Sequence, residues 1–239
     1  MPAILEGPAA AEALTRALGA LTALVPHLTA AVDPPRPAPA ADTADERGVP
    51  GDRVWVSSQE LIDDPARLGR IVVAGGRHLG TDDATVAASA FVQSYSYRLL
   101  AVTVGCLCTA GVVPDASAPR TVVARSGPWP SLLGFVAPVV GLLDGGAPAL
   151  ARADSPTITD ALGDVVAQCI DAHLHPLLAS VRAGLGTPVG ERLLWGDVAA
   201  SAAVAFRTMH GVLGPGVEPL GTRFFALAPP VLHGLGSFR

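Results

Sequence analysis

The sequence contains no lysine: all 16 basic residues are arginines, and 21 acidic residues bring the formal net charge to −5. A chain without lysine has no GxxxxGK[ST] loop, the motif that supplies the phosphate-binding lysine of P-loop nucleotide hydrolases. A negative net charge also provides no basic surface for the phosphates of nucleic acids. We therefore expect neither a P-loop enzyme nor a DNA- or RNA-binding protein.

Long uninterrupted hydrophobic runs are also missing, although half of the residues are hydrophobic and only 15% are charged. Residues 99–114 are too few for the roughly 20 apolar residues of a membrane-spanning helix, and residues 126–143 contain three prolines. The first basic residue, Arg16, follows Glu6 and Glu12, which is unlike a secretory signal. The sequence predicts a cytoplasmic protein without a transmembrane segment.

Cysteine is scarce, with only Cys106, Cys108 and Cys169. Three thiols cannot all pair as disulfides, and so few of them is typical of a reducing compartment. Cys106 and Cys108 are two residues apart in a predicted helix, so their side chains diverge by about 200°. They are not expected to bind one metal ion together.

The composition divides the chain into three parts. Residues 1–32 form an N-terminal helical segment, in which an Ala/Leu-rich pattern predicts a helix interrupted near Pro26. Residues 33–52 are rich in Pro, Ala and Asp without apolar periodicity, which predicts a flexible linker. Residues 53–239 are predicted to be a helical domain.

Two stretches indicate a smaller β component. Residues 120–140 contain β-branched runs broken by Gly and Pro, which predict one or two short strands and a loop. The "RIVVAGG" segment, residues 70–76, fits either a short strand or a connection that ends at its two glycines, and the pattern leaves both readings open.

The clearest helix begins near Asp82 and ends near Gly111. It is almost wholly apolar apart from a narrow stripe that should face a cavity or the polar seam of another helix; the stripe consists of Thr85, Ser89, Gln93, Ser96 and Thr103. Further helices are predicted over residues 160–182, bent at Pro176, over 190–213, and over 218–228. The fold class is therefore mainly α with a small β component, built on long central helices.

Arg98 is the notable charge of the central helix, on the face opposite the stripe. A guanidinium keeps its charge when buried and then needs an anionic partner. The sequence allows a ligand, a carboxylate such as Asp115 or Asp197, or contact with solvent. Tyr95 and Tyr97 flank Arg98 and could line a binding site or pack in the core.

His173 lies one turn from Cys169 on the apolar side of its helix. Two such residues can approach one metal ion, but no further Cys or His recurs at a useful distance. The preferred interpretation is therefore a core histidine beside a buried thiol. We predict no metal site on this chain.

Two segments carry a family resemblance. Residues 86–115, "VAASAFVQSYSYRLLAVTVGCLCTAGVVPD", and residues 173–206, with "LLWGDVA", resemble the FhuF-like ferric-siderophore reductases. The likeness covers about residues 82–239, and it implies a helical iron-assimilation protein of the cytoplasm.

The same resemblance implies a cofactor that this chain does not match. In that family a segment like "GSFR" leads into four cysteines that hold a [2Fe–2S] cluster, whereas here the sequence given ends with that segment, residues 236–239. None of the three cysteines stands at those positions. The chain is expected to carry no cluster of its own, as a degenerate iron–sulfur protein, and either truncation or a naturally cluster-free relative would explain it.

The resulting hypothesis is an iron-assimilation protein that binds a ferric siderophore, with reduction itself in doubt. We predict a binding site formed by Arg98, Tyr95, Tyr97, Trp195 and His173, in which the guanidinium orients an anionic chelate. The alternative is a non-catalytic scaffold that pairs with itself or with a partner. A redox partner or a homo-oligomer is compatible with either hypothesis.

Overall fold

The structure is a computed structural model, and it describes residues 3–35, 54–126, 129–143, 148–152 and 155–233. Most of the predicted linker, residues 36–52, and the "GSFR" segment lie outside these ranges. The division into residues 1–32, 33–52 and 53–239 therefore stays a prediction.

Helices dominate the described residues, as the sequence predicts. The α-helices are α1 (Gly7–Leu24), α2 (Ser58–Asp63), α3 (Pro65–His78), α4 (Ala84–Ala110), α5 (Pro156–Val165), α6 (His175–Gly184), α7 (Glu191–Leu213) and α8 (Glu218–Leu227). The strands are β1 (Ala3–Glu6), β2 (Ala30–Val32), β3 (Val54–Ser57), β4 (Val112–Pro114), β5 (Thr121–Ser126), β6 (Trp129–Phe135) and β7 (Val139–Leu142). No helix in these ranges is long and apolar enough to cross a membrane.

Helix α4 is the central element, and its two ends follow from local chemistry. The Asp83 side chain accepts hydrogen bonds from the backbone N–H groups of Thr85 and Val86, which caps the N-terminus. Gly111 ends the helix in the left-handed conformation with φ 63°, which glycine adopts without a side-chain clash. The predicted long central helix is confirmed, and α1, α3 and α7 all pack against it.

The strands form two small sheets, of order β1-β7-β4 and β2-β6-β5-β3. The prediction of short strands within residues 120–140 is confirmed by β5, β6 and the start of β7. The predicted interruption near Pro26 is confirmed, since α1 ends at Leu24, but the residues beyond it are not helical: the chain turns there and continues as β2. That strand pairs in parallel with β6, and β1 pairs with β7, so the N-terminal segment adds one strand to each sheet.

The "RIVVAGG" segment is helical, so both readings of it are wrong. It lies in α3, which starts at Pro65 and is capped by the Asp64 side chain. The two glycines of the segment lie within α3 and do not end it. Gly69, just before the segment, lets α3 pack closely on α6, since a β-carbon there would lie 2.0 Å from the carbonyl oxygen of Gly184. Tertiary contact thus stabilises a helix in a segment with strand-like composition.

The stretch from α5 to α6 is one continuous helical run, as predicted, but its irregularity is broader than a bend at Pro176. Val166–Leu174 is π-helical and joins the two α-helices. Pro176 lies in the first turn of α6, where its missing N–H withdraws one helical hydrogen bond from the preceding turn. Helices α7 and α8 match their predicted positions closely.

Candidate functional site

The two tyrosines of α4 point to opposite sides of the helix. Tyr95 is 2% exposed and lies in the core, whereas Tyr97 is partly exposed and lines an open groove. Residues two apart in a helix diverge by about 200°, so neighbours in the sequence enter different environments. The two predicted tyrosines therefore lie in two different places.

Tyr95 and His173 meet inside the protein. The Tyr95 hydroxyl lies 2.7 Å from His173 Nε2 and 2.8 Å from Ser58 Oγ. His173 Nδ1 lies 2.7 Å from the carbonyl oxygen of Ala116. Ser58 and His173 are fully buried, so α2, α4 and the π-helical stretch are joined by polar contacts within an apolar core.

The proton positions of this network follow from its fixed acceptor. A carbonyl oxygen only accepts, so Nδ1 of His173 carries the proton and donates to Ala116. In a neutral imidazole Nε2 is then the acceptor, and the Tyr95 hydroxyl donates to it. The Ser58 hydroxyl can complete the chain by donating to the Tyr95 oxygen, which leaves every member with a partner.

Burial keeps the network uncharged. It lowers the pKa of His173 from 6.5 to about 4, partly opposed by the hydrogen bond to Ala116. Burial also raises the pKa of Tyr95 well above its ordinary value. At neutral pH the network is thus neutral and satisfied, which is the arrangement of a structural core.

Tyr97 faces a groove of about 440 Å³, which we call the α4–α7 groove. Aromatic and aliphatic side chains and three neutral polar residues line it: Leu79, Ala90, Gln93, Ser94, Tyr97, Trp129, Ser201 and Val204. Among the described residues that line the groove, none has a charged side chain. A mostly apolar cleft with a few polar groups is typical of small-molecule sites.

One wall of the groove depends on Trp129 at the start of β6. Its ring packs on α3, where a β-carbon at Gly75 would lie 3.3 Å from the indole. Glycine at that position lets the ring approach the helix backbone. Helix α7 contributes Ser201 and Val204 to the lining.

Hydrogen bonds between polar side chains join α4 to α7. Ser96 Oγ donates to Ser201 Oγ at 2.8 Å, and Ser201 Oγ lies 3.2 Å from the carbonyl oxygen of Gln93. Ser89 forms a side-chain hydrogen bond with Asp197. The predicted pairing of the polar stripe with another helix is confirmed for these residues, and the order of the pairs shows that the two helices run parallel.

Arg98 lies beside the groove and is half-buried. Its guanidinium donates to the carbonyl oxygen of Ser94 at 3.0 Å and to Ser94 Oγ at 2.8 Å, and Ser94 lines the groove. Within the described part of the chain no carboxylate lies within 4.0 Å of Arg98, so neither Asp115 nor Asp197 neutralises it. Burial lowers the pKa of its guanidinium below the ordinary value, but the group stays charged.

Trp195 lies apart from both places. It is 3% exposed, its indole N–H donates to Glu191 Oε1 at 3.4 Å, and its ring contacts His175. It is not among the groove-lining residues. The structure thus brings Tyr97 and Arg98 together at the groove, joins Tyr95 to His173 in the core, and separates Trp195 from both pairs.

The three cysteines do not fit a [2Fe–2S] cluster, which needs four thiolates. All three are fully buried, and burial raises the pKa of each thiol to about 12. Cys169 Sγ lies 3.7 Å from Thr103 Oγ1, a contact between core side chains. Over the described ranges no cluster of three or more His, Cys, Asp or Glu residues could hold a metal ion.

Several groove residues were missed by sequence reasoning. Leu79, Trp129 and Val204 come from three separate elements, and no local pattern links them. Gln93 did carry a signal, because it belongs to the polar stripe that was predicted to face a cavity or a seam. Ser94 also had a sequence signal, since it precedes Arg98 by one helical turn and therefore lies next to that predicted site residue.

A known structure shares this fold. Aerobactin synthetase IucC from Klebsiella pneumoniae matches with a TM-score of 0.51 and 15% identity, over 77% of this chain and 32% of the synthetase. The chain thus spans about a third of that enzyme, and the similarity concerns the fold alone. No curated protein matches the sequence.

The sequence also matches a protein family over most of its length. Residues 89–233 match the family described as "Ferric iron reductase FhuF-like transporter". This range starts within α4, includes Tyr95, Tyr97 and Arg98, and extends beyond α8. Since it covers more than half of the 239 residues, the chain belongs to the FhuF-like ferric iron reductase family.

Proposed function

We propose that this protein acts in iron assimilation by binding a ferric chelate in the α4–α7 groove. Family membership supports a ligand that contains iron, and the groove is a cavity in which such a ligand could bind. The observation that carries the proposal is the pairing of an apolar, aromatic groove with the half-buried Arg98 at its edge. Because no described carboxylate neutralises that guanidinium, it can serve an anionic oxygen of the chelate.

Tyr97 and Trp129 give the proposed site its shape. Their rings offer flat apolar surface to the organic part of a chelate, and Gln93, Ser94 and Ser201 offer neutral hydrogen-bonding groups. Of the predicted site residues, the proposal assigns direct contact to Tyr97 and Arg98. Tyr95 and His173 support α4 from the core behind them.

The proposal is limited to binding and includes no reduction step. Cys106, Cys108 and Cys169 are buried and protonated, so the proposal gives them no part in a cluster and assigns no source of electrons. We place the protein in the cytoplasm, a proposal supported by its three free cysteines. A ferric siderophore would be its small-molecule partner there.

Equilibrium dialysis tests the proposal. The wild type is dialysed against ferric acetohydroxamate, ferric catecholate and ferric citrate, which differ in charge, and bound iron is measured. We expect saturable binding of at least one chelate, weakened about tenfold in Tyr97→Ala through lost aromatic contact. Arg98→Ala should weaken binding of the more anionic chelates the most.

A matched pair of variants on α7 locates the binding site. Val204 lines the groove and is 41% exposed, whereas Val212 on the same helix is 42% exposed and not among the lining residues. Val204→Trp should fill the groove and weaken binding at least tenfold, and Val212→Trp should bind like the wild type. Equal binding by both variants, or no binding of any chelate by the wild type, would refute the proposal.

Self-association is a second candidate function, favoured by the apolar mouth of the groove. Leu79 and Val204, at that mouth, are 53% and 41% exposed. Such residues could pack against a copy of the chain. Light scattering should then show a dimer that Val204→Glu dissociates, while a monomeric wild type would count against this candidate.

A further inference from the structure

His27 lies outside the family-matched range, yet it contacts Tyr97, a residue that lines the groove. It stands in the loop between α1 and β2, and its Nε2 lies 3.3 Å from the Tyr97 hydroxyl. The two residues are 70 positions apart in the sequence. This contact brings a polar side chain of the N-terminal segment to the edge of the proposed site.

The loop that carries His27 is firmly held. The backbone N–H of Leu28 donates to the carbonyl oxygen of Val25 at 2.9 Å, and Thr22 Oγ1 donates to the carbonyl oxygen of Leu28 at 3.2 Å. Val25 and Leu28, on either side, are 4% and 3% exposed. The backbone at His27 is thus anchored by buried neighbours, while its own side chain is exposed.

Tyr97 has little else to fix its hydroxyl. Among the residues that the structure describes, His27 is the one side chain that bonds to it. A partly exposed tyrosine without such a contact has rotamer freedom to lose when a ligand binds, and that loss weakens affinity. A contact that holds the ring in advance removes part of this cost.

We propose that His27 is a positioning residue for ligand binding, which holds the Tyr97 phenol in place at the α4–α7 groove. The N-terminal segment would thereby take part in chelate recognition, although the family match begins only at Ser89. This inference rests on the proposed function, because it assumes that the groove binds a ferric chelate. His27 would act through Tyr97 and not by touching the chelate itself.

A double-mutant cycle tests this role, using dialysis against whichever of ferric acetohydroxamate, ferric catecholate and ferric citrate the wild type binds most tightly. His27→Ala should weaken binding about threefold to fivefold, the scale of one freed side chain. His27→Gln, which keeps a hydrogen-bonding group, should restore most of the loss. Adding His27→Ala to Tyr97→Phe should cause no further weakening, because the bond is already absent.

Thr29→Ala provides the control, since Thr29 is exposed in the same loop, and this variant should bind like the wild type. The inference is overturned if His27→Ala binds normally while Tyr97→Phe and Trp129→Ala bind weakly, and this result leaves the proposed function intact. It is also overturned if His27→Ala weakens binding equally in the wild type and in Tyr97→Phe. If Tyr97→Phe, Trp129→Ala and His27→Ala all bind like the wild type, the proposed function fails, and the inference with it.

Discussion

Tyr95 and Tyr97 stand two residues apart on one helix, yet they have different tasks. The hydroxyl of Tyr95 is enclosed with Ser58 and His173, whereas the hydroxyl of Tyr97 meets one exposed imidazole beside an open groove. A buried polar group without a partner is costly, so the Tyr95 side must be complete within the protein. The Tyr97 hydroxyl keeps hydrogen-bonding capacity that the proposed ligand would use.

The largest loss of stability should come from a change in the buried network of Ser58, Tyr95 and His173. His173→Ala removes a fully buried ring and leaves the Tyr95 hydroxyl and the Ala116 carbonyl without their partner. We expect a loss of about 3 kcal/mol in the free energy of unfolding, from the cavity and the unpaired groups together. Urea denaturation followed by circular dichroism measures it, and a loss below about 1 kcal/mol would show that the network contributes little.

Lowering the pH should reduce the stability that the same buried network provides. The pKa of His173 is 6.5 in an ordinary environment and about 4 in the folded protein, because burial disfavours the imidazolium. Between these values the unfolded chain binds a proton that the native state does not, so stability falls as pH falls, by at most about 1.4 kcal/mol per pH unit.

His173→Gln isolates this contribution, since glutamine does not titrate. Urea unfolding of both proteins at pH 7, 6 and 5 should show a steeper loss of stability in the wild type. Equal slopes would mean that His173 does not enter the folded state neutral.

Removing one hydroxyl at a time compares the two tyrosines directly. Tyr95→Phe leaves His173 Nε2 and Ser58 unpaired in the core, and it should cost about 1–2 kcal/mol of stability while chelate binding stays intact. Tyr97→Phe should change stability by less than about 0.5 kcal/mol but weaken binding. Thermal denaturation and dialysis of the same two samples measure both quantities, and the reverse pattern would contradict the assignment of roles.

Much of the fold could be predicted from local sequence. The capping carboxylate at Asp83, the glycine at Gly111 and the apolar run between them specify α4, and α7 likewise ends before a glycine, Gly214. The segment of α3 could not be predicted, because its helix depends on the close contact of Gly69 with Gly184, more than a hundred residues away. Long-range packing of this kind leaves no periodicity in a short window.

The candidate site was less predictable than the fold. The sequence predicts that Tyr95, Tyr97 and Arg98 share one helix. It does not predict that Tyr95 lies in the core while Tyr97 and Arg98 lie at the groove. Trp129 lines the groove from a strand whose position depends on sheet pairing. His27 contacts Tyr97 from a loop whose position depends on its buried neighbours. Such residues are recognised only when the fold brings them together.

The position of bound iron can be read from the indole N–H signals of the three tryptophans in an NMR titration. High-spin ferric iron broadens nearby resonances, while the diamagnetic gallium complex of the same chelate serves as the control. Trp129 lines the groove and Trp195 lies outside it, so a ferric chelate bound there should broaden the Trp129 signal first and most strongly. Preferential broadening of Trp195, or no difference between the iron and gallium complexes, would contradict a ferric-chelate site in the α4–α7 groove.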